Sequence, residues 1–295
     1  MDIEKIIRDF IEKYGEEEYF LKDIENKFYK WIENTDLPDV KEILIQLFSE
    51  FEFFSKIEVK GILKKQLSEL LHNNSLEDIA IFSLPSQSGK TNSSDEMTML
   101  IREIVREDGI QIYEDTIKKN IEDLGCDEHI KIAVFFDDIS GSGKTITDFL
   151  KEYKDKLMGK KIIINLLAAT DSALQSIEQY RAEEELSVQV KVERMCGKIF
   201  SDHPTLKDDK RIVLSKFEET IWGKGHRNIM GFKDSQLIIG FYHNIPNNTL
   251  SSFWYHPEFG KLKQWNTLFK RFTLPKRGKQ KQNFSVGRSK RVNNE

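Results

Sequence analysis

The 295-residue sequence balances 45 Lys and Arg against 49 Asp and Glu, for a formal net charge of −4, with 32% charged and 39% hydrophobic residues. That length suits one large domain or two modest ones, and the acidic balance argues against wholesale electrostatic binding of nucleic acid. No apolar run approaches the roughly 18 residues of a membrane helix, and the acidic, amphipathic start MDIEKIIRDF does not fit a secretory signal, so a cytoplasmic protein without membrane contact is expected.

In chain order, residues 3–71 read as helical. Leu21, Ile24, Phe28, Trp31 and Ile32 share one apolar face; Asp36 and Pro38 open a second stripe through Ile43, Leu44, Leu47, Phe48 and Phe51; a third runs through Ile62, Leu63, Leu67, Leu70 and Leu71. Short helices have little core of their own, so the crowded Phe48, Phe51, Phe53 and Phe54 imply docking onto the rest of the chain or onto a protein partner. No basic recognition helix stands out for a winged-helix DNA reader. His72 to Ser75 break the pattern and mark a boundary, giving a helical N-terminal region over 1–75.

Beyond it, Ile79–Leu84 reads as a buried strand, 85–94 as a polar loop and Met97–Val105 as a helix. A possible strand at 110–113 and helix at 117–124 follow. Next comes KIAVFFDDISGSGKTITDFL, residues 131–150: an apolar strand, two acids, a small glycine-bearing loop and the start of a helix. Backbone N–H groups of such a loop, with the positive end of the helix, favour a phosphate group. The carboxylates of Asp137 and Asp138 can instead accept hydrogen bonds from vicinal hydroxyls or hold a divalent ion. A ribose phosphate uses both halves. Gly143-Lys144-Thr145 resembles the end of a nucleotide-triphosphatase loop, but the glycine that motif needs further upstream is Asp138 here. A glycine-rich connector that binds nothing is the plainer alternative.

Lys161–Ala169 forms another apolar strand, Thr170 and Asp171 can cap, Ala173–Tyr180 continues as helix, and Val188–Val192 alternates as a strand. Strands alternating with helices and apolar throughout predict an α/β fold with a mainly parallel, Rossmann-like sheet covered on both faces. Ligands bind such sheets outside the carboxyl ends of the strands, and Asp137, Ser86 and Asp171 are all expected there. Residues 201–235 read as a polar, loop-like stretch with Trp222, Gly223, His226 and Arg227; a strand at 237–242 and the segment HNIPNNTLSSFW follow. Asn247, Asn248 and Trp254 can read and stack on a base, or form a turn and a core position. Cys126 and Cys196 lack any metal or catalytic spacing. The tail over 275–295 is basic, with Lys276, Arg277, Lys279, Lys281, Arg288, Lys290 and Arg291; it is expected to be solvated, with nucleic-acid contact as the alternative.

Residues 133–145, AVFFDDISGSGKT, resemble the phosphoribosyl pyrophosphate (PRPP) signature of the type I phosphoribosyltransferases. The resemblance implies that Asp137 and Asp138 lie under the ribose 2′ and 3′ hydroxyls with Mg²⁺, and that Ser140, Gly141, Ser142, Gly143, Lys144 and Thr145 wrap the 5′-phosphate. Lys90 or Lys144 would also support departure of the leaving group. Ser86, Gln87, Ser88, Gly89 and Lys90 fall where the family carries its pyrophosphate loop. The phosphoribosyltransferase-like domain would span 76–274, with a hood at about 201–256 that selects the acceptor. One departure matters: where purine-salvage members often carry an aspartate base, this chain has Gly141. A base would then come from His226, His243 or Asp171. The helical N-terminus, the DDISGSGKT loop and the PNNTLxxxW segment together resemble phosphoribosyltransferase-like proteins of bacterial conflict systems, including retron-type antiphage operons. Three functions stay open: an enzyme acting at ribose C1, a PRPP or nucleotide sensor without chemistry, and an interaction subunit.

Overall fold

The computed structural model describes residues 2–15, 18–86, 91–258, 262 and 264–272. Three helices come first: α1 (Ile3–Tyr14), α2 (Ile24–Ile32) and α3 (Pro38–Ser49). Asp2 caps α1 by accepting from Lys5 N, and Pro38 opens α3, where a missing N–H costs nothing. A three-residue strand, β1 (Glu52–Phe54), then interrupts the helices, and α4 (Lys56–Asn73) follows. The N-terminal region is therefore not wholly helical. β1 pairs in parallel with β6 (Ile239–Phe241), nearly 190 residues later, and no local pattern in the sequence announces such a pairing.

The main sheet comprises β2 (Ile79–Phe82), β3 (Ile132–Ser140), β4 (Lys161–Thr170) and β5 (Val188–Cys196), all parallel and in that order, with Ile79 opposite Ile132, Ile132 opposite Lys161 and Ile162 opposite Val188. The interior strands β3 and β4 are continuous apolar runs because both of their faces are covered. One face packs α4 and α5 (Ser93–Glu107) against Ile81, Val134, Phe136 and Ile163. The other packs α6 (Asp123–Cys126), α7 (Lys144–Glu152), α8 (Lys154–Leu157) and α9 (Asp171–Glu183) against Phe82, Phe135, Ile164 and Leu166. β5, at the edge opposite β2, extends beyond the alternating stretch that the sequence suggests.

Two expectations between α5 and β3 fail. No strand forms at 110–113, and the helix expected over 117–124 is replaced by an extended segment whose Ile117 makes an isolated parallel bridge to Ile81; only α6 is helical. Ile110 and Ile117 pack on one face of the sheet, Ile121 and Leu124 on the other. A single helix face cannot serve both, so the chain passes extended round the edge of β2.

α10 (Ile199–Asp202), α11 (Asp208–Trp222), β6 and α12 (Ser251–Trp254) complete the fold. The stretch expected to be loop-like thus contains a 15-residue helix, whose Leu214, Phe217, Ile221 and Trp222 are buried. α1–α3 share one core with α11 and the segments around Phe253 and Phe269. Trp31 stacks on Phe253 with ring centroids 5.0 Å apart, and its Nε1 donates to Ser252 O at 2.8 Å. The N-terminal helices therefore dock on the C-terminal part of the same chain, while α4 belongs to the cover of the sheet. α4 runs on through His72 and Asn73, so the break expected over 72–75 falls at its C-terminal end. Among the described residues no helix is long and apolar enough to cross a membrane; the basic stretch from Pro275 lies outside the described residues.

Candidate functional site

Ser140, which ends β3, is followed by Gly141, Ser142 and Gly143, and α7 begins at Lys144. Gly143 has φ +72°, and a Cβ there would lie 2.7 Å from Ala173 O, so only glycine fits. Thr170 Oγ1, at the end of β4, donates to Gly141 O at 2.7 Å and accepts from Ala173 N at 3.2 Å, bracing the loop against α9. The result is a small loop opening onto the N-terminus of a nine-residue helix, the arrangement that favours an anion.

This loop forms one wall of a cavity of about 860 Å³. Asp137, Asp138 and all six residues from Ser140 to Thr145 line it, together with Thr91, Asn92 and Ser93 at the start of α5, and with Phe232, Tyr242, His243, Asn247, Asn248 and Arg271 from the C-terminal part. The sequence-based cradle is thus assembled on one cavity, and the asparagines come to it from more than 100 residues away.

The two acids are held differently. Asp137 Oδ1 accepts from Ser93 Oγ at 2.6 Å and from Asp138 N at 3.0 Å. Asp138 Oδ1 accepts from Ile139 N at 2.7 Å, while Oδ2 lies 3.0 Å from His243 Nε2. Burial, reinforced by the neighbouring Asp138 charge, pushes the Asp137 carboxyl up to about 7. Burial acts on Asp138 too, but the hydrogen bond and charge of His243 outweigh it and hold that carboxyl below its ordinary range. His243 is itself buried, which disfavours its charge, yet Asp138 raises it overall. The ring of His243 stacks on Phe241 with centroids 5.6 Å apart, and Nδ1 is buried without a partner. A proton on Nε2, donated to Asp138, satisfies this geometry with no unpaired N–H.

Several expected site residues are placed elsewhere. Lys144 lines the cavity, but its ammonium pairs with Asp148 at 2.6 Å along α7. Ser86 does not line the cavity, and Gln87, Ser88, Gly89 and Lys90 lie outside the described residues. Asp171 is exposed at the start of α9 and away from the cavity lining, so of the three strand-end residues expected to converge only Asp137 does. His226 stacks face to face on Trp222, 4.5 Å between centroids, outside the lining. Trp254 is a core residue: it is 2% exposed, and its Nε1 donates to Thr249 O at 2.8 Å. It cannot stack on a ligand.

Other residues enter that sequence reasoning passed over. Ser93 lies in a stretch read as mere polar loop; the capping box of Asn92 and Asp95 that starts α5 was the available signal. Arg271 lies just ahead of the basic tail, and the sequence reading gave it no role. In the structure its Nε donates to Ile245 O at 2.9 Å and its guanidinium carbon is 5.5 Å from the Trp254 ring centroid. Burial lowers its pKa, opposed by the charge of Asp138.

Gly141 explains itself here. Its backbone is not in the left-handed region, but a Cβ would lie 2.7 Å from Asn248 Cγ and 2.9 Å from Oδ1, and closer still to Nδ2. The Asn248 carboxamide occupies the space that any side chain at 141 would need.

A parallel sheet with helices on both faces, ending in paired acids beside a glycine loop at a helix N-terminus, defines a Rossmann-like α/β protein with a crevice at the carboxyl end of β3. More specifically, the chain belongs to the phosphoribosyltransferase-like PRTase-CE family, matching it over residues 28–271, from α2 through Arg271. Among solved structures it is similar to Helicobacter pylori xanthine-guanine-hypoxanthine phosphoribosyltransferase, at 13% identity and a TM-score of 0.31 over 49% of this chain and 82% of that one. No curated protein matches the sequence.

Proposed function

We propose that the protein binds PRPP or a nucleotide in this cavity and acts at ribose C1, as a phosphoribosyltransferase-like effector of a bacterial antiphage system. The observation that carries the chemical part is the convergence of Asp137, Asp138 and the loop 140–145 on one cavity. The loop N–H groups and the α7 N-terminus would receive the 5′-phosphate. Asp138, fixed by Ile139 N and His243, would accept from a ribose hydroxyl; Asp137, whose Oδ2 accepts from no described residue, would take the neighbouring one. The defence setting rests on the resemblance of the DDISGSGKT and PNNTLxxxW segments.

Mg²⁺ fits as an ion arriving with a diphosphate. No group of three or more His, Cys, Asp or Glu among the described residues would hold a metal alone, but one or two carboxylates with substrate phosphates are what Mg²⁺ uses. Asp137, beside Asp138 on the cavity wall, would be its protein ligand. Bound there, the ion would neutralise charge developing on a departing diphosphate.

Gly141 favours a second reading, in which the cavity binds its ligand without turnover: no carboxylate base fits at that position while Asn248 fills it. Mass spectrometry separates the two. Incubation of the protein with PRPP, Mg²⁺ and a cellular nucleotide pool should consume PRPP or a nucleotide, and Asp137→Asn with Asp138→Asn should abolish this. Binding without any change in the pool would select the second reading.

A further inference from the structure

We propose that the subsite between the phosphate loop and the C-terminal segment takes an acceptor that is already an oxyanion, a carboxylate or phosphate, held by Arg271 beside Asn248. The proposal deepens the PRPP reading of the same cavity and rests on it.

Two independent observations point this way. The first is a cation without a counter-charge. Arg271 is half-buried and lines the cavity, with Nε held by Ile245 O. Among the described residues neither terminal nitrogen has a hydrogen-bond partner, and Arg271 forms no ion pair. Asp138 is the acid whose field reaches it, but both Asp138 oxygens are already engaged, by Ile139 N and His243. A partly desolvated guanidinium with open donors is a standing site for a planar oxyanion, which it can meet with two parallel hydrogen bonds. The stack on Trp254 holds it in place.

The second is the neutral group at the loop. Asn248 O is fixed by Ser235 Oγ at 2.7 Å and Leu237 N at 3.2 Å. Its carboxamide, without a hydrogen-bond partner among the described residues, therefore stands over Gly141 on the cavity wall. A carboxamide donates and accepts hydrogen bonds but takes up no proton near neutral pH. An acceptor facing it needs no proton removed there if it arrives as an anion.

The test is calorimetry on the full chain with Mg²⁺ and saturating PRPP, using matched probes: benzoate against benzamide and orotate against uracil. The acids should bind at least about tenfold more tightly than their neutral partners, as a charge-assisted pair allows. Arg271→Gln should erase that preference, and Arg271→Lys should keep part of it. Displacement of benzoate by inorganic phosphate at lower concentration would mark the anion as a phosphate; the reverse order would mark it as a carboxylate. Equal binding of acid and neutral probes, no binding of either acid, or a preference that survives Arg271→Gln would overturn the proposal. The same titrations without PRPP keep it separable from the PRPP reading: an acid preference in a protein that never binds PRPP contradicts that reading alone.

Discussion

Replacing Gly141 by alanine probes the closest contact between the phosphate loop and the C-terminal segment. The backbone there is ordinary, so the perturbation is purely one of space: the added methyl would lie 2.7 Å from Asn248 Cγ. Overpacking of this kind typically costs ~1–3 kcal/mol. The displaced group is the end of a side chain, whereas the Asn248 backbone is pinned through its carbonyl. The lower end of the range therefore applies, about 1 kcal/mol, which in a chain of this size lowers Tm by a few degrees. Differential scanning calorimetry of Gly141→Ala, Asn248→Ala and the double variant forms a cycle. The double variant should recover stability relative to Gly141→Ala, with a coupling of at least ~0.5 kcal/mol. A Gly141→Ala protein as stable as wild type, or strictly additive effects, would refute the packing argument.

Other consequences follow from the same contacts. The Asp137 carboxyl, raised to about 7 in the folded state from an ordinary 3.8, binds its proton more tightly when folded; its contribution is full at low pH and is lost as pH rises through about 7. Asp137→Asn should therefore gain Tm over wild type at pH 8 and lose that advantage towards pH 5, by calorimetry at the two pH values. Trp254→Phe should lower stability, through lost packing and the lost bond to Thr249 O, without changing PRPP affinity; a selective affinity loss would place the ring in the site after all. Burial pushes the Cys196 thiol up to about 12, whereas Cys126 is exposed, so a native thiol titration should show one fast and one slow group. Glu218 is fully buried and accepts from Met230 N and Ser252 N. Glu218→Ala would orphan both N–H groups and should cost at least ~2 kcal/mol.

What could be read from the sequence was what local pattern encodes. The β3 strand, its paired acids and the loop before α7 are contiguous, and an apolar run ending in DDISGSGKT has few other structural meanings. β4 and α9 followed for the same reason. The misreadings arose where the deciding partner is distant. Phe53 and Phe54 continue an apolar stripe, yet β1 pairs with β6. Ile117 and Leu124 fit one helix face in sequence but pack on opposite faces of the sheet. α11 did carry its signal, in Leu214, Phe217 and Ile221 at helical spacing, but polar residues masked it. The contacts that shape the site, His243 with Asp138 and Asn248 over Gly141, join positions more than 100 residues apart. No window on the chain contains both ends.

In the proposed function, Asp137, Asp138 and the 140–145 loop together hold a ribose phosphate. Isothermal titration calorimetry of PRPP with Mg²⁺ tests it most directly. Binding by the wild-type chain should be saturable at one site, lost in Asp137→Ala with Asp138→Ala and weakened by Thr145→Ala. Absence of binding to wild type, or equal binding by the double variant, would contradict it.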